Sequence, residues 1–71
     1  MNEFVFVAFD VETIIYVDGT ECGKTNNKMI VETGTHVFDL GDRNDYAPKS
    51  ITQTIVGTSI NDPYPLHFVK A

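Results

Sequence analysis

Turn-forming residues divide the chain into short segments, and this spacing is the feature that most restricts the fold. The segments between the turns are rich in β-branched and aromatic residues, which favour extended strands. The chain holds eight Val, six Ile and eight Thr, against three Ala and two Leu. No window shows helical periodicity free of Gly, Pro or β-branched clusters. The spacing therefore predicts an all-β fold with little or no helix.

Six segments have the composition of strands. Residues 4–9 are apolar at every position, which is typical of a central strand. Residues 36–40 place Phe38 and Leu40 on one face, and we expect this strand to pair with residues 29–31 across a turn. The six predicted strands are residues 4–9, 14–17, 28–31, 36–40, 50–56 and 66–69.

A chain of 71 residues is one small unit, so a single domain over residues 1–71 is predicted. Six short strands favour an antiparallel β-sandwich, which hides one face of each strand. In residues 50–56, Ile51 and Ile55 fall on one face and Thr52 and Thr54 on the other, which predicts one solvent-exposed face. The residues expected to face inward are Phe6, Ile15, Val17, Ile30, Phe38, Leu40, Ile51, Ile55, Leu66 and Phe68.

The charge balance excludes some classes of partner. Five Lys and Arg stand against ten Asp and Glu, giving a net charge of −5, so no basic patch is available for nucleic acid. The longest apolar run, residues 4–9, is far shorter than the roughly 20 residues of a membrane-spanning helix. We therefore expect neither a nucleic-acid partner nor membrane insertion.

The N-terminal residues 1–4 lack the basic region of a signal peptide, which leaves the compartment open. The chain is expected in the cytoplasm as encoded, or outside it if it is a piece of a larger protein.

The small core predicts that contacts with another chain add to the stability of the fold. Cys22 is the one cysteine, so no internal disulfide can form. A chain this short buries only about 60% of its unfolded surface, which leaves it marginally stable. We therefore expect a non-enzymatic structural or interaction module that binds a protein partner or itself, with strand addition at a sheet edge as the mechanism.

Two motifs approach ligand-binding patterns. Residues 19–25 resemble a phosphate-binding loop but are one residue short and precede no helix, so they predict a turn with a solvated Lys24. Asp39, Asp42 and Asp45 recur every three residues, but this is not the spacing of a calcium-binding EF-hand loop. A solvated acidic turn is the simpler interpretation, and no cofactor or metal site is predicted.

The residues able to do catalysis are few. A zinc site needs three or four converging ligands, and with Cys22, His36 and His67 the supply is thin. These residues form no recognisable nucleophilic pair, so no catalytic residue is predicted and the chain is not expected to be an enzyme. His36 begins a strand after a turn, and we expect it to hold that turn by a hydrogen bond.

An alternative function uses the loops at residues 41–48 and 57–65. Tyr46 and Tyr64 could stack on sugar faces, while Asp42 and Asp45 accept hydrogen bonds from hydroxyl groups. This alternative predicts a carbohydrate- or small-ligand-binding module, with calcium as an assisting ion.

Four short motifs resemble the PEGA domain family. They are Ile15-Tyr16-Val17-Asp18-Gly19, Gly23-Lys24-Thr25, Gly34-Thr35-His36 and Tyr46-Ala47-Pro48. The resemblance implies a small β-sandwich that serves as an accessory module without catalytic activity, usually outside the cytoplasm. It also implies structural roles for the turn glycines Gly19, Gly23 and Gly34, and for His36, which fastens one of the turns.

Overall fold

Nine β-strands and no helix make up residues 2–71, the part of the chain that the computed structural model describes. Met1, the first residue of the predicted domain, lies outside the described residues. The predicted all-β fold is confirmed. The strands are β1 (Asn2–Ala8), β2 (Ile14–Val17), β3 (Thr20–Lys24), β4 (Lys28–Glu32), β5 (Gly34–Asp39), β6 (Tyr46–Ala47), β7 (Ile51–Ile55), β8 (Tyr64–His67) and β9 (Val69–Lys70).

Two larger sheets enclose one core. One has the strand order β4, β1, β8, the other has the order β3, β2, β5, β7, and β6 with β9 forms a separate ribbon. Side chains from both larger sheets share a single apolar cluster, as in a β-sandwich. The buried members are Val5, Val7, Phe9, Ile15, Val17, Met29, Val31, Phe38, Leu40, Tyr46, Ile55, Leu66 and Phe68. Among residues 2–71 there is no helix long and apolar enough to span a bilayer.

Strand β1 is the central strand of its sheet, as predicted. Val5 and Val7 are fully buried, and Phe9 follows them on the same face. Phe6 was expected to face inward, and this is wrong because it lies on the opposite, half-buried face. Both sets of side chains are apolar, so the alternation alone could not choose between them. The pair β1 and β8 is parallel, whereas β1 and β4 are antiparallel, so the sandwich is not purely antiparallel.

The predicted pairing of residues 36–40 with residues 29–31 is wrong. Strand β4 pairs with β1 in one sheet, whereas β5 pairs with β2 and β7 in the other. The chain changes sheets at the turn between them. In the register of β4 with β1, Met29 and Val31 face the core and Ile30 is 51% exposed, so its predicted inward position is also wrong. Ile51 is partly buried and packs against the core.

Two predicted turn glycines have a positive φ. Asp18 and Gly19, between β2 and β3, have φ values of 54° and 84°, which is typical of a two-residue type I′ hairpin turn. Gly34 has a φ of 135° where the chain enters β5. Residues other than glycine rarely adopt the φ values of Gly19 and Gly34, so both glycines have a structural reason to be there.

The polar segment that follows this hairpin turn is a strand, β3, and not the turn that was predicted. Its partner is β2, with an irregularity in register between Ile15 and Tyr16. Gly23 therefore lies inside a strand, and its constraint is steric. A Cβ atom on Gly23 would lie 3.1 Å from Met29 Sδ. Lys24 is exposed, as expected.

Side-chain hydrogen bonds replace strand pairing where β1 ends. Thr25 is fully buried, and its hydroxyl accepts a hydrogen bond from Thr13 N–H (2.9 Å) and donates one to Val11 O (2.7 Å). The Asn26 side chain bonds both Phe9 N–H (3.2 Å) and Phe9 O (3.0 Å). These two residues fix the connection from β1 to β2, because buried peptide groups need partners.

Glu3 is a carboxylate that was not predicted to lie in the interior, and it is 4% exposed. It accepts hydrogen bonds from the Thr33 hydroxyl (2.5 Å), the Thr58 hydroxyl (2.6 Å) and Thr58 N–H (3.0 Å). The hydrogen bonds from Thr33 and Thr58 lower the pKa of Glu3 from 4.5 to about 2. Glu3 thus ties β1 to two separate loops.

Replacing Phe38 by Ala tests the core. Phe38 is fully buried, so truncation should lower the free energy of unfolding by about 3–5 kcal/mol. The matched control is Ile30→Ala, which removes an exposed side chain and should cost less than about 1 kcal/mol. Urea unfolding followed by circular dichroism measures both. Equal losses in the two variants would contradict the assignment of the core.

Candidate interaction edge

The four residues of the predicted ligand site are not brought together. Tyr46, expected to be exposed, is 3% exposed, so that expectation is wrong. Its ring packs edge-on against Phe9 and Phe68. Its hydroxyl accepts a hydrogen bond from Leu40 N–H (3.3 Å) and lies 3.1 Å from Gly41 O. A side chain fixed in this way stabilises the loop and has no free face for a ligand.

Asp45 and Tyr64 are also engaged within the fold. The Arg43 guanidinium donates two hydrogen bonds to Asp45, of 2.7 and 2.9 Å, and this lowers the pKa of the Asp45 carboxyl to about 2. Arg43 also lies 5.4 Å from the centre of the Phe9 ring. Tyr64 belongs to β8, in the three-stranded sheet, and packs against the core.

Asp42 lines a shallow, open depression of about 270 Å³ together with Tyr16, Gly19, Asp39 and Gly41. Asp39 Oδ1 accepts a hydrogen bond from Gly41 N–H (2.8 Å), so part of this acidic surface is used by the loop. Within residues 2–71 no three His, Cys, Asp or Glu side chains are placed to hold a metal ion.

His36 holds the turn that precedes it, as predicted, and also a second turn. Its Nε2–H donates to Glu32 O (2.6 Å), and its Nδ1–H donates to Asp18 Oδ2 (2.7 Å). Asp18 Oδ1 in turn accepts a hydrogen bond from Val37 N–H (2.9 Å). A carbonyl and a carboxylate only accept, so both ring nitrogens must carry hydrogen and the ring is an imidazolium when both bonds form.

In the pair of His36 and Asp18, each side chain shifts the pKa of the other toward the charged form. The hydrogen bond to Asp18, followed by that to Glu32, raises the pKa of His36 above 6.5. The bonds from His36 and Val37 lower the pKa of Asp18 below 3.8. The pair fastens the Asp18 turn to β5.

Four strands form the edges of the two larger sheets, and three of them are protected. Strand β8 contains Pro65, which lacks an N–H donor, and β3 carries charged side chains. On β4, Cys22 Sγ contacts Ile30 O (3.7 Å) and His36 contacts Glu32 O. Strand β7 differs, because it contains no charged residue and no proline.

The alternation of main-chain hydrogen bonds shows which peptide groups of β7 face outward. Asp18 N–H donates to Val37 O (2.8 Å), so the peptide groups of Val37 face β2 and those of His36 face β7. Gln53 lies opposite His36, so its peptide groups face β5. Those of Thr52 and Thr54 therefore face away from the sheet, where no hydrogen bond from residues 2–71 reaches them.

The side chains of β7 itself are uncharged. Thr52 and Thr54 are exposed, as the alternating pattern predicted. The Thr54 hydroxyl lies 2.8 Å from that of Thr35 on the neighbouring strand. Val37 is 38% exposed beside Thr52, and Val56, directly after β7, is 62% exposed. We call Thr52, Thr54 and the outward peptide groups of β7 the β7 edge.

Comparison of the chain with protein-family models found no match, and comparisons with curated proteins and with solved structures also found none. Function is therefore inferred from the geometry of residues 2–71. The β7 edge was not among the predicted site residues. Its sequence signals are the absence of charge and proline in residues 50–56 and the clean alternation of that segment.

The His36 interaction makes stability depend on pH. Because the pKa of His36 is raised in the folded state, its contribution is complete below pH 6.5 and is lost as the pH rises through the folded-state pKa. An NMR titration of the His36 ring should give a pKa above 6.5, and Asp18→Asn should bring it back toward that value. A wild-type pKa at or below 6.5 would contradict the double-donor arrangement.

Proposed function

We propose that this chain is a non-enzymatic interaction module that binds an extended protein strand, from a partner or from another copy, along the β7 edge. The outward peptide groups of Thr52 and Thr54, which no hydrogen bond within residues 2–71 uses, carry the proposal. A strand added there continues the sheet, and its main-chain hydrogen bonds supply the affinity.

The surroundings of the edge favour a strand over other ligands. Val37 and Val56 expose apolar surface near the edge, and no charge within β7 opposes an approaching backbone. Side chains of the added strand would alternate between this surface and the margin of the core. The net charge of −5 selects against strongly acidic partners.

The resemblance to PEGA domains supports the same class of function. That resemblance implies an accessory β-sandwich whose matched residues, such as Gly19 and His36, have structural roles. An accessory module without catalytic activity fits a binding role, which an open sheet edge would provide.

A selection experiment tests the proposal. A display library of short random peptides is selected on the immobilised wild-type chain and on Thr54→Pro. Proline removes the outward N–H of Thr54 but no hydrogen bond to β5, so the fold should survive. We expect peptides rich in β-branched residues that bind the wild type and lose binding at least about tenfold on Thr54→Pro.

Thr54→Val is the matched control, because it keeps the peptide N–H and changes only the hydroxyl. It should retain peptide binding, whereas circular dichroism should show all three proteins folded. Peptides that bind wild type and Thr54→Pro equally, or no enrichment on a wild-type chain that is monomeric, would contradict the proposal.

The depression beside Tyr16 is the observation that favours a second candidate, a small polyhydroxyl ligand. Asp39 and Asp42 offer carboxylate oxygens to hydroxyl groups, and the Tyr16 ring forms part of the wall. NMR titration with monosaccharides, with and without calcium, should then shift the amide signals of Gly19 and Gly41, and Asp42→Asn should abolish the shifts. Unchanged spectra would exclude this candidate.

A further inference from the structure

We propose that the occupant of the β7 edge is a second copy of this chain, with the two β7 strands antiparallel about a two-fold axis at Gln53. This inference rests on the proposed function, since it names the strand that the edge accepts.

The sequence of β7 is a palindrome. Ile51-Thr52-Gln53-Thr54-Ile55 reads the same in both directions. In an antiparallel pair centred on Gln53, each Ile51 lies opposite the second copy's Ile55 and each Thr52 opposite the second copy's Thr54. A two-fold interface requires a surface that complements itself, and a palindromic antiparallel strand meets this requirement residue by residue.

The alternation of outward and inward peptide groups along β7 suits this register. The Gln53 peptide groups face β5, so the central Gln53 pair is a pair without mutual main-chain hydrogen bonds. Each Thr52 is then placed to exchange N–H and C=O bonds with the second copy's Thr54. A register displaced by one residue would set outward-facing peptide groups opposite inward-facing ones and would lose these bonds.

The side chains in this register are compatible. Threonines pair on the outer face and extend the hydroxyl contact between Thr54 and Thr35 (2.8 Å). On the inner face, Ile51 and the second copy's Ile55 become neighbours at the margin of the two cores. No charged side chain within β7 meets its copy, although each chain carries a net charge of −5. Association should therefore strengthen as salt screens the repulsion.

Strand β4 is the competing edge, because its self-pairing would set Lys28 opposite Glu32. Its outer carbonyl groups are already used, however. Cys22 Sγ contacts Ile30 O (3.7 Å), and His36 Nε2–H donates to Glu32 O (2.6 Å). A second copy on β4 would have to break these contacts, whereas pairing along the β7 edge would break no contact of this kind.

Disulfide cross-linking tests the register in a Cys22→Ser background. In Gln53→Cys the two Cα atoms of the central pair would be about 4.5 Å apart, within the usual disulfide range of about 4.4–6.8 Å. In Thr52→Cys the equivalent atoms lie two residues out of register and beyond about 7 Å. Mild oxidation should convert Gln53→Cys into a dimer of twice 7.9 kDa and leave Thr52→Cys monomeric. Efficient cross-linking of Thr52→Cys, or none of Gln53→Cys, would overturn the proposal.

Analytical ultracentrifugation tests the edge without new cysteines. The wild type should dimerise reversibly, and Thr54→Pro should weaken the dimer at least about tenfold with an unchanged circular dichroism spectrum. Thr54→Lys, which places a charge on the edge without restricting φ, should weaken it in the same way. A dimer that persists in both variants uses another surface and overturns the proposal.

The outcome also separates this inference from the proposed function. A wild-type chain that stays monomeric at all concentrations but selects peptides dependent on the Thr54 N–H overturns the second copy as occupant and leaves the interaction module in place. A monomer that selects no peptides overturns both. A dimer cross-linked through Gln53→Cys supports both.

Discussion

The need to satisfy main-chain hydrogen bonds is the constraint on which this small fold depends. Residues 2–71 contain no helix, so their buried peptide groups are satisfied by pairing strands or by side chains. Strand β1 is paired on both sides, and where it ends Thr25 and Asn26 take over. At the β7 edge neither solution is present within residues 2–71, and this difference gives the edge its proposed role.

Several charged side chains in residues 2–71 fix connections between strands. Glu3 bonds Thr33 and Thr58, so one carboxylate links β1 to the loops before β5 and after β7. His36 and Asp18 fasten the β2–β3 turn to β5 in a similar way. Such links stabilise a chain whose lone thiol, Cys22, forms no disulfide.

Local patterns predicted the fold class well and the pairing of strands poorly. The Asp18–Gly19 turn and the alternation of β7 are local, and both were correctly predicted. The parallel pair of β1 and β8 joins distant segments, which no local pattern encodes. Tyr46 was predicted to be exposed because the sequence does not reveal that its hydroxyl bonds backbone groups. The palindrome of β7 is visible in the sequence, but which of its peptide groups face outward required the structure.

The central claim is that the β7 strand of a second copy satisfies the outward peptide groups of β7. Amide hydrogen exchange of Thr52 and Thr54, measured as a function of protein concentration, tests this most directly. Protection of these two amides should rise with concentration, while that of Gln53, already bonded to β5, should change less. Exchange at Thr52 and Thr54 that is fast and independent of concentration would contradict the claim.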